Sequence, residues 1–233
     1  MSLATPRPHA GRTPHVDLQG GQFWRYNGLS IVLLILFAIS AVGQSISGWF
    51  DFNSDQQDHG LATIGYLAYL GTGHFWEALG ENWESEFLQM AAFVLLTACL
   101  YQKGSPESKD PDQPDEPEPP VTPDSPLPVQ RGGWVRAIYE RSLAIALLAL
   151  FVLSMIIHAI GGHVEYNREQ ALLGKDAASF WDYVLGSRFW FESLQNWQSE
   201  FLSIAAMVIL GIYLRQKGST ESKPTTVPHW QNE

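Results

Sequence analysis

Two uncharged apolar runs of eighteen residues constrain this chain more than any other feature. Residues 29–46 read LSIVLLILFAISAVGQSI and residues 143–160 read LAIALLALFVLSMIIHAI, the second with one histidine. About 20 residues rising roughly 1.5 Å each carry a helix across the bilayer hydrocarbon, so both runs read as membrane spans. Two shorter runs, 87–101 and 201–214, reach spanning length if their helices begin near Trp83 and Trp197. Those starts draw Glu86 and Glu200 into the outer ends of the helices. Four spans are expected. The first run begins too far into the chain and is too long for the h-region of a cleaved leader, so it is expected to remain.

Sliding the sequence on itself by 114 residues aligns the two halves without a gap, with 33 identities over the 81 positions from Leu29/Leu143 to Lys109/Lys223. The densest block pairs FWEALGENWESEFLQMAA with FWFESLQNWQSEFLSIAA, and QKGSPESK at 102–109 pairs with QKGSTESK at 216–223. The unit is therefore a two-span hairpin present twice. Two spans return the chain to its starting side, so both copies insert in the same orientation, about a pseudo-twofold axis along the membrane normal.

The expected organisation is a tail over 1–24, a first repeat over 25–103, a linker over 104–133, a second repeat over 134–217 and a tail over 218–233. The linker carries PESKDPDQPDEPEPPVTPDSPLPVQ, whose Pro and acidic content buries too little apolar surface to offset the entropy of ordering. It and the tails read as disordered. Eleven basic residues fall on the side holding both termini and the linker, among them Arg25, Lys103, Arg141 and Arg215 beside the spans. Arg168, Lys175 and Arg188 fall on the other side. The positive-inside rule then puts both termini in the cytoplasm.

Charge sharpens the functional classes. The chain has a formal net charge of −10, a pI of about 5.1 and only 16% charged residues, against roughly 25% for average proteins. An acidic chain lacks the basic surface that nucleic acid requires. In the four-span topology the entire net charge lies on the outer face, where its field concentrates cations. One cysteine, Cys99, excludes a disulfide framework and a Cys-cluster metal site. No GxSxG, Walker A, HExxH, CxxC or GxGxxG arrangement points to an enzyme.

The combination of NGLSIVLL, GHFWEALGENWESEFLQMAAFVLLT and QKGSPESKDP resembles an uncharacterised bacterial integral-membrane family known as a domain of unknown function. The resemblance runs from about Arg25 to Lys223. It implies a bacterial inner-membrane location and supplies neither an activity nor catalytic residues.

Candidate site residues come from the matched positions. Glu86 and Glu200 share the pattern N-W-[E/Q]-S-E-F-L. A carboxylate near the hydrocarbon boundary is costly unless partnered and often marks an ion path. The structural alternative is that Asn82 and Asn196 cap their helices and the acids complement the dipole. Ser40, Gln44 and Gly48 stand at i, i+4 and i+8, answered by Ser154, His158 and Gly162. Such a small and polar face suits close interhelical packing, or a polar cluster with the two glutamates. In the outer loops, Asp176 is expected to cap a short helix over 177–185 and Ser187 the next one. Trp76, Trp83, Trp190 and Trp197 belong at the headgroup layer, on interfacial helices. His158, His163 and Glu200 invite a metal reading, but an i, i+5 spacing does not place two imidazoles on one helix face. No metal or cofactor is expected.

The fold class is thus an all-α membrane protein with four transmembrane helices, arranged as two tandem, same-orientation hairpins with interfacial helices in the outer loops. The bilayer is the expected partner, with a protein partner or a second copy of the chain left open. The first functional reading is a non-enzymatic packing or interaction module. Its rival is a small cation or proton conduit using the paired glutamates, and a membrane-embedded enzyme comes third.

Overall fold

The structure is a computed structural model that describes residues 20–113 and 117–232. The expected tail over 1–24 lies, for its first nineteen residues, outside the described residues. Among the described residues the fold is all-helical, with no strand. The long elements are α1 (Gly20–Asp58), α3 (Gly73–Thr97), α6 (Ser142–Leu172) and α8 (Ser187–Tyr213), and the short ones are α2 (Tyr66–Tyr69), α4 (Leu127–Arg131), α5 (Gly133–Tyr139) and α7 (Phe180–Val184). The chain divides into two compact units, Met1–Phe50 and Asp51–Glu233. In the first, α1 exposes a continuous apolar surface that includes Leu33, Leu34, Phe37 and Ile39.

Two helices, Gln22–Asp58 and Ser142–Leu172, are long and apolar enough to cross a membrane, rather than the four expected. The cause is length: α3 ends at Thr97 and α8 at Tyr213, so the apolar stretches that begin at Phe87 and Phe201 are too short alone. The turns just upstream carry Glu81, Glu84 and Glu86 on one helix and Asn196, Gln198 and Glu200 on the other.

Within the second unit α3 lies against both α6 and α8. The α3–α6 seam is antiparallel and built on glycine. A Cβ at Gly80 would stand 2.4 Å from the His158 backbone nitrogen, one at Gly161 2.5 Å from that of Glu77, and one at Gly73 2.6 Å from that of Glu165. Backbones approach this closely only where small residues face each other. By contrast α3 and α8 run parallel. The Gln89 amide donates to Ser203 Oγ at 2.8 Å, joining two positions that are 114 residues apart.

Loop geometry also recurs at that offset. The Asn53 side chain accepts from the Ile64 amide at 2.8 Å and donates to the Ile64 carbonyl at 3.0 Å. Asn167 does the same with Ala178, at 2.8 and 3.1 Å. Ser108 Oγ accepts from the Gln102 amide and Ser222 Oγ from the Gln216 amide, at 2.7 and 2.8 Å. Each QKGSxESK segment is thus a closed turn. The chain beyond the second one folds back: buried Lys223 donates to the carbonyls of Gln231, His229 and Gly104, and the Asn232 side chain accepts from the Gly104 amide at 2.7 Å.

Three capping expectations change. The short helix after α6 starts at Phe180 rather than 177, because Ser179 and Asp182 form a reciprocal capping box that Asp176 does not. Ser187 is the first residue of α8, with Gly186 at the cap position. Asn82 and Asn196 cap nothing: both sit inside helices and donate back to the carbonyls of Ala78 and Glu192. Thr72 does cap α3, accepting from the Phe75 amide at 3.3 Å.

A buried carboxylate–imidazole cluster

The α3 sequence places Glu77, Glu81 and Glu84 at i, i+4 and i+7, a spacing that lines one helix face. That face meets His158 of α6, because Gly80 lets the two backbones touch at this level. Tyr183 of α7 and Phe189 of α8 close the other side with Ala159, and the Phe189 ring lies 4.7 Å from the imidazole, tilted by 32°. The result is a solvent-excluded cluster around one imidazole. His158 and Glu84 are fully buried, and Glu77 is 8% exposed.

His158 Nδ1 stands 3.2 Å from Glu84 Oε2, and Nε2 stands 3.5 Å from Glu192 Oε2. Neither ring nitrogen, neither Glu84 oxygen, nor Glu77 Oε1 completes a directed hydrogen bond. Ligand atoms of Glu77, His158 and Glu192 all fall within 4.8 Å of one another. Glu192 is held from both sides: Arg188 Nε donates to Oε1 at 2.8 Å and the Tyr183 hydroxyl to Oε2 at 3.2 Å. Arg188 is shared with Glu169, whose carboxylate it also contacts. Asn196 donates to Glu81 Oε1 at 2.5 Å. Three carboxylates therefore surround one imidazole with half an arginine. A low-dielectric pocket holds such a surplus of negative charge only with bound protons or a bound cation.

Apart from the cluster, a polar cavity of about 330 Å³ lies between the end of α1 and the end of α6. Asp51, Asp55, Asp58, Glu165 and Glu169 line it, against Arg168 and His74. Arg168 donates to Glu165 and Asp55 at 2.8 and 2.9 Å and lies over the Phe52 ring.

Of the residues singled out in the sequence, His158 is at the centre of the cluster and Ser154 is buried one turn away on the same helix. Ser40 and Gln44, their counterparts, are exposed on α1. Glu86 is exposed and Glu200 half-buried, outside the cluster. His163 faces elsewhere, toward the Ala178 carbonyl and Asn167, so the set His158, His163 and Glu200 is not assembled. Trp76 and Trp190 are 41% and 39% exposed, Trp83 is half-buried, and Trp197 packs edge-on against Phe151 and Trp190. Glu77, Glu84 and Glu192 were missed. The i, i+4, i+7 acids of α3 were the signal that could have found two of them.

These features define a class: an all-helical protein with two helices apolar enough to cross a membrane and a buried ionisable cluster among its helices. The chain belongs to the family of the domain of unknown function DUF6766, which matches residues 20–233. No curated protein and no solved structure matches it.

Proposed function

We propose that this chain is a non-enzymatic protein of the bacterial inner membrane that takes small cations from the outer face into a buried site and conducts them. The observation that carries the reading is the cluster itself: buried Glu77 and Glu84 and half-buried Glu192 surround His158, with orphaned polar atoms on Glu77, Glu84 and His158. Intramembrane ionisable groups cost several kcal/mol and by default mark an ion or proton path. The acidic cavity at the ends of α1 and α6 suits the entry, since its field raises the local cation concentration.

The reading includes four spans as two same-orientation hairpins, with both termini cytoplasmic. Exposed apolar side chains on the inner halves of α3 and α8 support it: Met90, Leu95 and Leu96 on one, Leu202, Ile209 and Leu210 on the other. Such surface is at home in lipid and unfavourable in water. The parallel α3–α8 contact through Gln89 and Ser203 supports a common orientation of the copies.

Purified protein in liposomes should pass protons or metal cations down a gradient, read by internal dyes. Glu84→Gln and His158→Gln should reduce that flux at least tenfold, while Glu86→Gln leaves it unchanged. Wild-type liposomes silent to every cation gradient would sink the reading and favour the packing module, for which the glycine seam between α3 and α6 is the supporting feature.

A further inference from the structure

We infer that the cluster is a metal site: Glu77, His158 and Glu192 ligate a divalent first-row transition ion, and Glu84 orients the imidazole from behind. The inference rests on the cation reading above and names its ion.

Geometry comes first. Two ligands each about 2.1 Å from a tetrahedral ion stand about 3.4 Å apart. His158 Nε2 and Glu192 Oε2 are 3.5 Å apart, and the Glu77 carboxylate completes a set of three within 4.8 Å. Glu77 Oε1 and His158 Nε2, on the side away from Glu84, lack hydrogen-bond partners although their side chains are more than nine-tenths buried. Buried polar atoms are nearly always partnered, so this orphaned convergence points to a ligand that accepts lone pairs.

The surroundings match what a metal-bound histidine needs. Such an imidazole almost always gives its second ring N–H to a carboxylate, which fixes the tautomer and raises ligand basicity. Glu84, 3.2 Å from Nδ1 and fully buried, occupies that place. It leaves Nε2 as the metal-facing nitrogen. Arg188 and the Tyr183 hydroxyl fix the Glu192 carboxylate in turn. One imidazole with two carboxylates suits the range from manganese to zinc. Calcium and magnesium favour all-oxygen sites, and copper(I) favours thiolate or thioether.

The test uses the full chain, purified in detergent, stripped with a chelator and titrated with Zn²⁺ and Co²⁺. Calorimetry, metal analysis after desalting and visible absorption give affinity, stoichiometry and coordination. One ion per chain is expected, with Co²⁺ bands of a low-symmetry site. Glu77→Gln and Glu192→Gln should each weaken binding at least tenfold. Glu84→Gln should weaken it ten- to a hundredfold and alter the Co²⁺ spectrum while keeping the stoichiometry. Glu86→Gln should change nothing, and circular dichroism checks that each variant is folded. Wild-type protein that is folded yet retains no ion overturns the inference. So does binding that ignores Glu192→Gln but is lost in Asp55→Asn, which would put the ion in the other cavity. Proton flux without metal binding removes the metal site and keeps the conduit. Stoichiometric binding without any flux does the reverse.

Discussion

His158 Nδ1 lies 3.2 Å from Glu84 Oε2, and neither side chain has any exposed surface. The pair joins α6 to α3 at the level where Gly80 brings the backbones into contact, so it cannot relax toward solvent. Removing one partner of a buried pair strands the other and costs about 3–5 kcal/mol, whereas removing both costs much less. His158→Leu alone should therefore destabilise the protein severely. The double variant His158→Leu with Glu84→Gln should recover a large part of the loss. Thermal unfolding in detergent measures both. Additive effects of the two changes would mean that the groups do not interact.

The glycine seam makes a second, independent prediction. A methyl group at Gly80 meets the His158 backbone at 2.4 Å, and one at Gly161 meets the Glu77 backbone at 2.5 Å. Backbone cannot move aside as a flexible side chain can. Gly80→Ala and Gly161→Ala should each cost about 1–3 kcal/mol by overpacking, despite the better helix propensity of alanine. Gly43→Ala on α1, where a Cβ meets nothing within 4 Å, is the matched control and should be neutral or slightly stabilising. Equal melting temperatures for all three would refute the close approach.

A pH response is expected where the two QKGSxESK turns meet. Burial first, then the hydrogen bond and charge of Glu221, push the Glu107 carboxyl up to about 7. The folded form thus holds a proton that the unfolded chain releases near pH 4.5. Stability from this pair is fully present below about 4.5 and is lost as pH rises toward 7, with no further change above. The protection factor of the Gly104 amide, which donates to the Asn232 side chain, should fall over that window once the base catalysis of exchange is divided out. Glu107→Gln should abolish the dependence. A pH-independent protection factor in the wild type would contradict the shared proton.

The helices and the 114-residue offset were legible because apolar runs and identities are written along the chain. The Asn53–Ile64 and Asn167–Ala178 clasps show the same offset in three dimensions. The cluster was less legible, for a physical reason. Matching positions drew attention to Glu86 and Glu200, identical in both halves, yet the buried site uses residues that differ between halves. Glu77 answers Phe191, Glu84 answers Gln198, His158 answers Gln44 and Glu192 answers Ala78. Positions that match at the 114-residue offset drew the attention, and the cluster is assembled from positions that do not match. The helix starts failed similarly: Asn82 and Asn196 look like caps, but the ten-residue extension to Gly73 and Ser187 is set by tertiary contact with α6 and α7.

Topology separates the remaining alternatives most sharply. If only Gln22–Asp58 and Ser142–Leu172 cross the bilayer, and the N-terminus is cytoplasmic as the proposed topology has it, the segment between them is external and everything after the second is cytoplasmic. If α3 and α8 also cross, the assignments of the two loops reverse: Pro120 becomes cytoplasmic and Gly174 external. A reporter after Lys223 is cytoplasmic in either case and serves as the control. Reporters near Asp58, Pro120 and Gly174 then decide, with external, cytoplasmic and external expected for four spans. The basic residues favour that outcome, since Lys103, Arg131, Arg136 and Arg141 flank the Pro120 segment, and such residues near span ends stay inside. An external Pro120 with a cytoplasmic Gly174 would leave α3 and α8 packed outside the hydrocarbon. It would also put the His158 cluster beside a helix pair that never enters the membrane, and conduction through it would then lose its physical basis.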